Sequence, residues 1–259
     1  MLLALDVGNT EITIGLFAGD RLNGHWRLTT VAQRTPDEWA ATMASHLIHS
    51  GHRPPEVRAA VLASVAPGVT TSLVQGVRQA TGAEPVAVGP DTPLPLRLDV
   101  EEPLTVGADR VVNTLAALVL YRRDTVVVDF GTATTFDCIT ADGRFIGGVI
   151  APGLVTGADN LVRRAAKLPA TELTPPERTI GRRTEDCIRA GVLFGAAEAA
   201  DGIVRRIKAE WPGGSVPYVV ATGGLAQVVV PLSREIEATD PMLTLTGLRL
   251  AAAHLGLKW

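Results

Sequence analysis

Apolar residues recur along the chain with two spacings, which separate strands from helices. Continuous or alternating apolar runs predict strands over residues 2–7, 11–17, 22–28, 57–64, 85–88, 125–130, 133–140, 144–150 and 217–222. Helical spacing bounded by capping and stop residues predicts helices over 35–50, 70–81, 107–123, 152–167, 184–211 and 245–255. Because strands alternate with helices in both halves, we expect an α/β fold with a mixed sheet in each half.

One strand–turn–strand pattern occurs twice. Residues 3–17 and 126–140 each read as an apolar strand, an Asp-x-Gly turn with Asn or Thr next, and a second strand-like run. Their aspartates, Asp6 and Asp129, stand nearly half of the 259-residue chain apart. The repeat predicts two similar domains, 1–116 and 117–259, which present a carboxylate and a hydroxyl-rich turn each to a shared cleft. That arrangement suits a nucleotide with its metal ion and indicates phosphoryl transfer.

Composition narrows the class of protein. Apolar residues make up 46% of the chain and the net charge is −3, so a core is available and the basic surface of a nucleic-acid binder is missing. The two cysteines have no CxxC spacing and imply no disulfide framework. No signal peptide or long apolar span is evident. We expect a soluble cytoplasmic protein without nucleic-acid or membrane partners.

The first turn has the chemistry of a phosphate site. Gly8 lets the backbone turn tightly and approach a ligand, while Asn9, Thr10 and the backbone N–H groups supply donors. Asp6 is a hard oxygen ligand suited to Mg²⁺. An ordinary hairpin turn is the alternative explanation, and the second copy at Asp129 disfavours it.

The second turn repeats this chemistry. Asp129 and Gly131 follow an apolar run, and threonine hydroxyls for phosphate oxygens come next, at Thr132, Thr134 and Thr135. Strand propensity also explains the last two threonines. It does not explain a carboxylate at the end of a buried strand, which needs a cation or backbone donors as a partner.

Two further segments have weaker signals. Gly223 and Gly224 follow a strand and precede a helix, which suits packing against a nucleotide base or ribose. Such glycine pairs are also common in ordinary strand-to-helix turns. In Gly107–Arg110, Asp109 reads either as a first-turn acid of a helix or as a general base, with Arg110 as an anion clamp.

A long helix is predicted to begin near Thr184. This threonine precedes two acidic residues and reads as a helix cap. Gly191 and Gly195 form a stripe along the same helix, which predicts a close contact with another helix.

Taken together, the motifs resemble those of one family. They occur in the order Asp6–Thr10, Gly107–Arg110, Asp129–Thr135, Gly147–Gly153 and Thr222–Gly224. The chain resembles type III pantothenate kinases of bacterial coenzyme A synthesis over nearly its whole length. The two Asp-x-Gly turns alone resemble the wider superfamily of actin-like ATPases, sugar kinases and Hsp70-like proteins. The resemblance therefore implies two ribonuclease-H-like (actin-like ATPase) domains, each a mixed sheet with flanking helices, and a homodimer.

The resemblance also implies an activity and roles for particular residues. The activity is the ATP-dependent phosphorylation of pantothenate to 4′-phosphopantothenate. ATP would contact Thr132, Gly223, Gly224 and the first turn with its second strand, namely Asp6, Val7, Gly8, Asn9, Thr10, Glu11, Ile12 and Thr13. Asp109 would be the catalytic base, and Asp129 would hold K⁺ or NH₄⁺. Pantothenate would contact Gly107, Ala108, Asp109, Arg110 and, from the neighbouring subunit's side of the dimer cleft, Thr184.

The chain departs from the family pattern at one place. Val100 and Glu102 stand where the family often has the tyrosine and asparagine of a Tyr-x-Asn-Pro segment. A missing aromatic wall would weaken pantothenate binding, reflect local repacking, or accompany a different acceptor. Two alternatives therefore stay open, a kinase for another small hydroxy acid and a non-enzymatic regulatory factor of the same fold.

Overall fold

The computed structural model describes all residues from Met1 to Trp259. Contacts divide the chain into two compact units, one formed by residues 1–119 with 243–259 and the other by residues 120–242. The boundary after residue 119 lies in the last turn of a helix that spans Ala108–Tyr121.

The first unit is built on a five-stranded mixed sheet. Its strands and the short strand that follows them are β1 (Leu2–Val7), β2 (Glu11–Ala18), β3 (Arg21–Thr29), β4 (Ala59–Ser64), β5 (Pro85–Val88) and β6 (Arg97–Leu98). Its first three helices are α1 (Pro36–His49), α2 (Pro67–Thr81) and α3 (Ala108–Tyr121). The sheet order is β3-β2-β1-β4-β5, in which the first three strands pair antiparallel and β4 and β5 add in parallel.

Local sequence explains how the flanking helices begin and end. Thr35 caps α1 and forms a capping box with Glu38, because each residue's side chain accepts a hydrogen bond from the other's backbone N–H. Pro36 occupies the first turn of α1, where a missing N–H has no cost. α2 ends at Gly82, whose φ of +77° is a left-handed conformation that glycine adopts without strain. Both helix ends were predicted from these residues.

The second unit repeats the topology of the first. Its strands are β7 (Thr125–Phe130), β8 (Ala133–Ile139), β9 (Arg144–Pro152), β10 (Tyr218–Thr222) and β11 (Ala238–Thr239). Its helices are α4 (Leu154–Arg164), α5 (Thr184–Glu210) and α6 (Ala226–Val229). The strands run in the order β9-β8-β7-β10-β11, with an antiparallel hairpin series followed by two parallel additions. The predicted α/β class and the repeat of two mixed sheets are confirmed.

The last helix, α7 (Leu243–His254), packs on the first unit against β1, β2 and β4. Its buried apolar side chains include Leu243, Leu245 and Leu248. The division therefore differs from the expected single boundary between residues 116 and 117, because the C-terminal segment completes the first core. Helical spacing predicts this helix but not which sheet it covers.

The long helix α5 makes no close approach at its glycine stripe within this chain. A methyl group at Gly191 or Gly195 would meet nothing within 4 Å. The predicted close helix contact is thus not made within this chain.

No helix in the structure combines the length and the apolar composition needed to cross a bilayer.

Gly76 of α2 lies close against α1. A methyl group there would collide with the Cβ atom of Trp39 and lie 2.8 Å from the carbonyl oxygen of Pro36. We expect Gly76→Ala to destabilise the protein by about 1–3 kcal/mol, the usual cost of overpacking a core. The measurement is the urea midpoint of the first unfolding transition.

The matched control for Gly76→Ala is Gly68→Ala on the same helix, where an added methyl group meets nothing within 4 Å. We expect this control to be neutral or slightly stabilising, since alanine favours helix over glycine. Equal midpoints for the two variants would contradict the packing assigned to Gly76.

Candidate active site

The first turn is held tightly at the end of β1. The Gly8 N–H donates to the Glu11 carbonyl oxygen at 3.0 Å, and a methyl group at Gly8 would lie 2.8 Å from that oxygen. The hydroxyl of Thr30 donates to the Gly8 carbonyl at 2.7 Å, and the Thr30 N–H donates to the Thr10 carbonyl at 2.9 Å. Position 8 therefore needs glycine, and the end of β3 fixes the turn.

Side chains of the first turn differ in what they offer a ligand. Asn9, Thr10 and Glu11 are exposed, and Asp6 and Thr13 are partly buried. Val7 and Ile12 are buried in the core of the unit. Of the eight residues predicted to contact ATP here, these two and Gly8 have only backbone groups to offer.

The segment Gly107–Arg110 lies beside the end of β1. β1 and β4 are parallel and pair Val7 with Ser64, so both strands end at the same edge of the sheet. The N–H of Val65 donates to the Val7 carbonyl at 3.0 Å, and a methyl group at Gly107 would lie 3.5 Å from the Val65 side chain. The structure thus brings the Asp6 turn and the start of α3 to one edge of the first sheet.

Asp109 lies in the first turn of α3 and is partly buried. Its Oδ1 accepts a hydrogen bond from the Arg110 N–H at 2.8 Å. Loss of solvation raises the pKa of Asp109, and the N–H and positive charge of Arg110 oppose this shift only in part. A methyl group at Gly107 would lie 2.5 Å from the Asp109 carboxylate, so glycine leaves the space that this carboxylate occupies.

In the second unit, Asp129 lies at the end of β7 between two partners in the sheet. It pairs with Thr135 of β8 and with Thr222 of β10. Gly131 closes the turn by donating its N–H to the Ala133 carbonyl at 3.0 Å. The side chain of Thr132 is exposed at this turn.

Gly223 packs directly against Asp129. Its φ is +92°, and a methyl group there would collide with Oδ1 of Asp129 and lie 2.7 Å from the backbone N and C atoms of Phe130. The Leu225 N–H donates to the Phe130 carbonyl at 3.2 Å, which ties the glycine turn to the end of β7. Gly224 is exposed beside it. The structure therefore brings Asp129, Gly131 and Gly223 together.

Gly153 also belongs to this cluster, although sequence reasoning gave it no role. A methyl group at Gly153 would collide with the carbonyl oxygens of Gly131 and Thr132. The Gly153 N–H and the Thr156 hydroxyl both donate to the Thr132 carbonyl, at 3.2 and 2.7 Å. The Pro152-Gly153 pair before α4 was the available signal, but it reads equally well as an ordinary helix start.

Thr184 lies at the start of α5. The prediction that it caps α5 is wrong, because Arg183 has the extended backbone of the N-cap and Thr184 is the first helical residue. No side chain caps the helix. Thr184 is exposed, and Gly181 packs on its turn, where a methyl group would lie 2.6 Å from the Cys187 nitrogen.

The repeated sheet topology, with an aspartate at the end of the first strand in each unit, defines the actin-like ATPase fold that sugar kinases share. A Campylobacter jejuni structure described as a Baf family transcriptional activator aligns over 98% of both chains with a TM-score of 0.62 at 16% identity. The ROK hexokinase of Thermus thermophilus aligns over 98% of both chains with a TM-score of 0.50 at 14% identity. At these identities the likeness shows the fold alone.

Sequence comparison identifies the family within this class. The profile of the type III pantothenate kinases matches residues 2–206. The type III pantothenate kinase of Moorella thermoacetica is 44% identical over 250 residues, which cover 96% of this chain and 98% of that protein. This chain belongs to the type III pantothenate kinase family.

The contact between Gly223 and Asp129 can be tested by adding one methyl group. Gly223→Ala introduces a side chain at positive φ and also displaces the Asp129 carboxylate or the Phe130 backbone. Gly213→Ala is the matched control, because Gly213 has a φ of +78° but open space around it. We expect Gly223→Ala to be less stable than the control by about 1–3 kcal/mol, as measured by thermal unfolding. Equal losses would show that backbone strain alone sets the cost.

Proposed function

We propose that this chain transfers the γ-phosphoryl group of ATP to the primary hydroxyl of pantothenate, which yields 4′-phosphopantothenate and ADP. Membership of the type III pantothenate kinase family supports this reaction and its place as the first step of coenzyme A synthesis. The residue roles are assigned mainly because the Asp6 turn and the start of α3, which contains Asp109, lie at the same edge of the first sheet.

Asp109 is the general base in this proposal. The pantothenate hydroxyl oxygen attacks the γ-phosphorus, its proton passes to the Asp109 carboxylate, and the bond to the bridging oxygen of ADP breaks. A general base works best when its pKa is near the working pH, which is well above the pKa of an ordinary aspartate. Burial raises the pKa of Asp109 toward that pH. Phosphoryl transfer needs little covalent help, so positioning and charge neutralisation supply most of the rate.

The two Asp-x-Gly turns are the proposed ATP contacts. Asn9 and Thr10 have exposed side chains that can donate to phosphate oxygens in the first turn, and Thr13 follows in β2. Glu11 can contribute only its backbone N–H, because its carboxylate would repel phosphate. Thr132 offers an exposed hydroxyl in the second turn. Gly223 and Gly224 provide a surface without side chains for the nucleoside. The buried Val7 and Ile12 contribute through their backbone only.

Metal ions fit the two aspartates as single carboxylate ligands. No group of three or more His, Cys, Asp or Glu side chains could hold a metal ion by itself. Mg²⁺ is commonly held by one or two carboxylates with substrate phosphates and waters, which fits Asp6. Asp129 is proposed to hold a monovalent cation, K⁺ or NH₄⁺, because carboxylate oxygens are suitable ligands for hard cations. Bound cations neutralise the phosphate charge.

Pantothenate recognition is assigned to Gly107–Arg110, with Arg110 meeting the substrate carboxylate. Thr184, exposed at the start of α5, is proposed to contact pantothenate across a homodimer in the cytoplasm. Val100 and Glu102 leave this region without the aromatic side chain that the family often has. That departure favours a second candidate function, phosphorylation of another small hydroxy acid.

The first experiment is a coupled assay of ADP release with ATP, Mg²⁺ and pantothenate, run with K⁺ or Na⁺ as the sole monovalent cation. We expect turnover that depends on pantothenate and is higher with K⁺ than with Na⁺. A panel of other hydroxy acids replaces pantothenate in parallel reactions. Higher turnover with another acid would favour the second candidate, and no turnover with any acceptor would favour a regulatory protein.

Asp109→Asn tests the proposed base. The amide retains an oxygen that can accept from the Arg110 N–H but cannot take up a proton, so we expect kcat to fall by about 10²–10⁴-fold. ATP affinity, measured by calorimetry, should be unchanged. Turnover within a few-fold of the parent would remove Asp109 from this role.

Stability and pH supply the control for Asp109→Asn. Burial raises the pKa of Asp109 in the folded state, so its ionised form disfavours folding at neutral pH and the neutral amide should not lower the melting temperature. For the same reason, kcat/KM of the parent should decline on the acid side at a pH above the ordinary aspartate value of 3.8. A variant that melts earlier would instead indicate structural damage.

A further inference from the structure

The last helix lies close against α3 at Gly247. A methyl group at Gly247 would collide with the carbonyl oxygen of Val112 and lie 2.7 Å from its carbonyl carbon. The obstacle is backbone rather than the end of a flexible side chain, so a larger residue at 247 must displace one of the two helices. Close-packed interiors have few voids to absorb such a shift.

A polar contact joins the same two helices one turn away. The hydroxyl of Thr244 donates to Oδ1 of Asn113 at 2.9 Å, and Asn113 is only 1% exposed. Thr244 and Gly247 are three residues apart and therefore lie on the same face of α7. One face of α7 thus contacts α3 at both Val112 and Asn113.

On α3, these contacts lie one turn from Asp109. Val112 and Asn113 follow Asp109 by three and four residues, which places all three on one face of the helix. We expect a displacement at Val112 to move Asp109 as well, because both residues lie in the same helix, one turn apart.

α7 is also fixed to the sheet that carries the Asp6 turn. It packs on β1, β2 and β4. A methyl group at Gly15 of β2 would lie 3.0 Å from the side chain of Leu245. The Arg249 guanidinium pairs with the Asp20 carboxylate at 2.5 Å, beyond the end of β2. α7 is therefore fixed to both elements that Asp109 and Asp6 depend on.

We propose that Gly247 and Thr244 are positioning residues for phosphoryl transfer, which set the place of Asp109 relative to the Asp6 turn by holding α3 against the sheet through α7. The inference rests on the proposed role of Asp109. It concerns a helix outside residues 2–206, the span of the family match. The contacts of Gly247 and Thr244 are with α3 and not with a substrate, so they act through Asp109.

Gly247→Ala is the primary test. We expect kcat with pantothenate to fall by about 10–100-fold, because a misplacement of about 1 Å in a reacting group has effects of this size. KM for ATP should change less than threefold. If α3 moves and Asp109 becomes more hydrated, the pKa of Asp109 falls. The acid limb of the pH profile of kcat/KM, where activity declines as the base is protonated, should then shift to lower pH. A merely structural role would lower stability without moving this limb.

The matched control is Gly202→Ala in α5, where the added methyl group meets nothing closer than Arg205 Nη2 at 3.9 Å. It has the same gain in helix propensity and should retain the parent's kcat and acid limb. Nucleotide binding and the melting curve of Gly247→Ala confirm that the protein measured is folded.

Thr244 provides a second, milder pair of variants. Thr244→Val removes the hydroxyl that Asn113 accepts from and keeps the shape, while Thr244→Ser retains the hydroxyl. We expect Thr244→Val to lower kcat by about 3–10-fold with a shift of the acid limb in the same direction, and Thr244→Ser to restore both. This pair keeps the proposal testable if Gly247→Ala does not fold.

The outcomes separate this inference from the proposed function. Parental turnover and an unmoved acid limb in folded Gly247→Ala and Thr244→Val would overturn the positioning role, while the loss of activity in Asp109→Asn would leave the reaction assignment intact. Full activity of Asp109→Asn would overturn the proposed base first, whatever the α7 variants do.

Discussion

The parallel pairing of β1 with β4, and of β7 with β10, is the constraint on which the candidate site residues of each unit depend. Parallel neighbours end at the same edge of a sheet, so residues that follow them along the chain meet there. In the first unit this places Val65 between Val7 and Gly107. In the second it places Gly223 against Asp129. The aspartates lie in the hairpins, and the parallel strands bring Gly223 and the start of α3 beside them.

Glycines at the edges of both sheets leave space for a neighbouring carboxylate. Gly107 leaves space for Asp109, and Gly223 leaves space beside Asp129. In both cases an absent side chain lets a carboxylate lie against backbone. The motifs therefore contain glycine for reasons of packing as well as of ligand access.

Sequence reasoning was most successful where the determining interactions are local. The capping box at Thr35 and the stop at Gly82 depend on residues a few positions apart, and both were predicted. The Asp-x-Gly repeat revealed the two sheets because each hairpin is contiguous in the chain. Thr184 failed as a cap because residue type alone does not show which residue adopts the extended N-cap backbone, and here that is Arg183.

Contacts between distant segments could not be predicted in this way. The sequence predicts the helix α7 but not the sheet that it covers, so its packing on the first unit was not predicted. The same holds for Gly247 and Val112, whose approach is visible only once both helices are packed. The roles expected for Asp109, Asp129 and Arg110 came from motif resemblance, since a first-turn acid and a general base look alike in sequence.

The return of α7 has a consequence for the order of folding during synthesis. Residues 120–242 form the second unit, and they are all made before the helix that completes the first. The N-terminal sheet thus leaves the ribosome with the faces of β1, β2 and β4 that α7 will cover still exposed to water. The earlier-synthesised unit finishes its core last, which reverses the usual N-to-C order of domain folding.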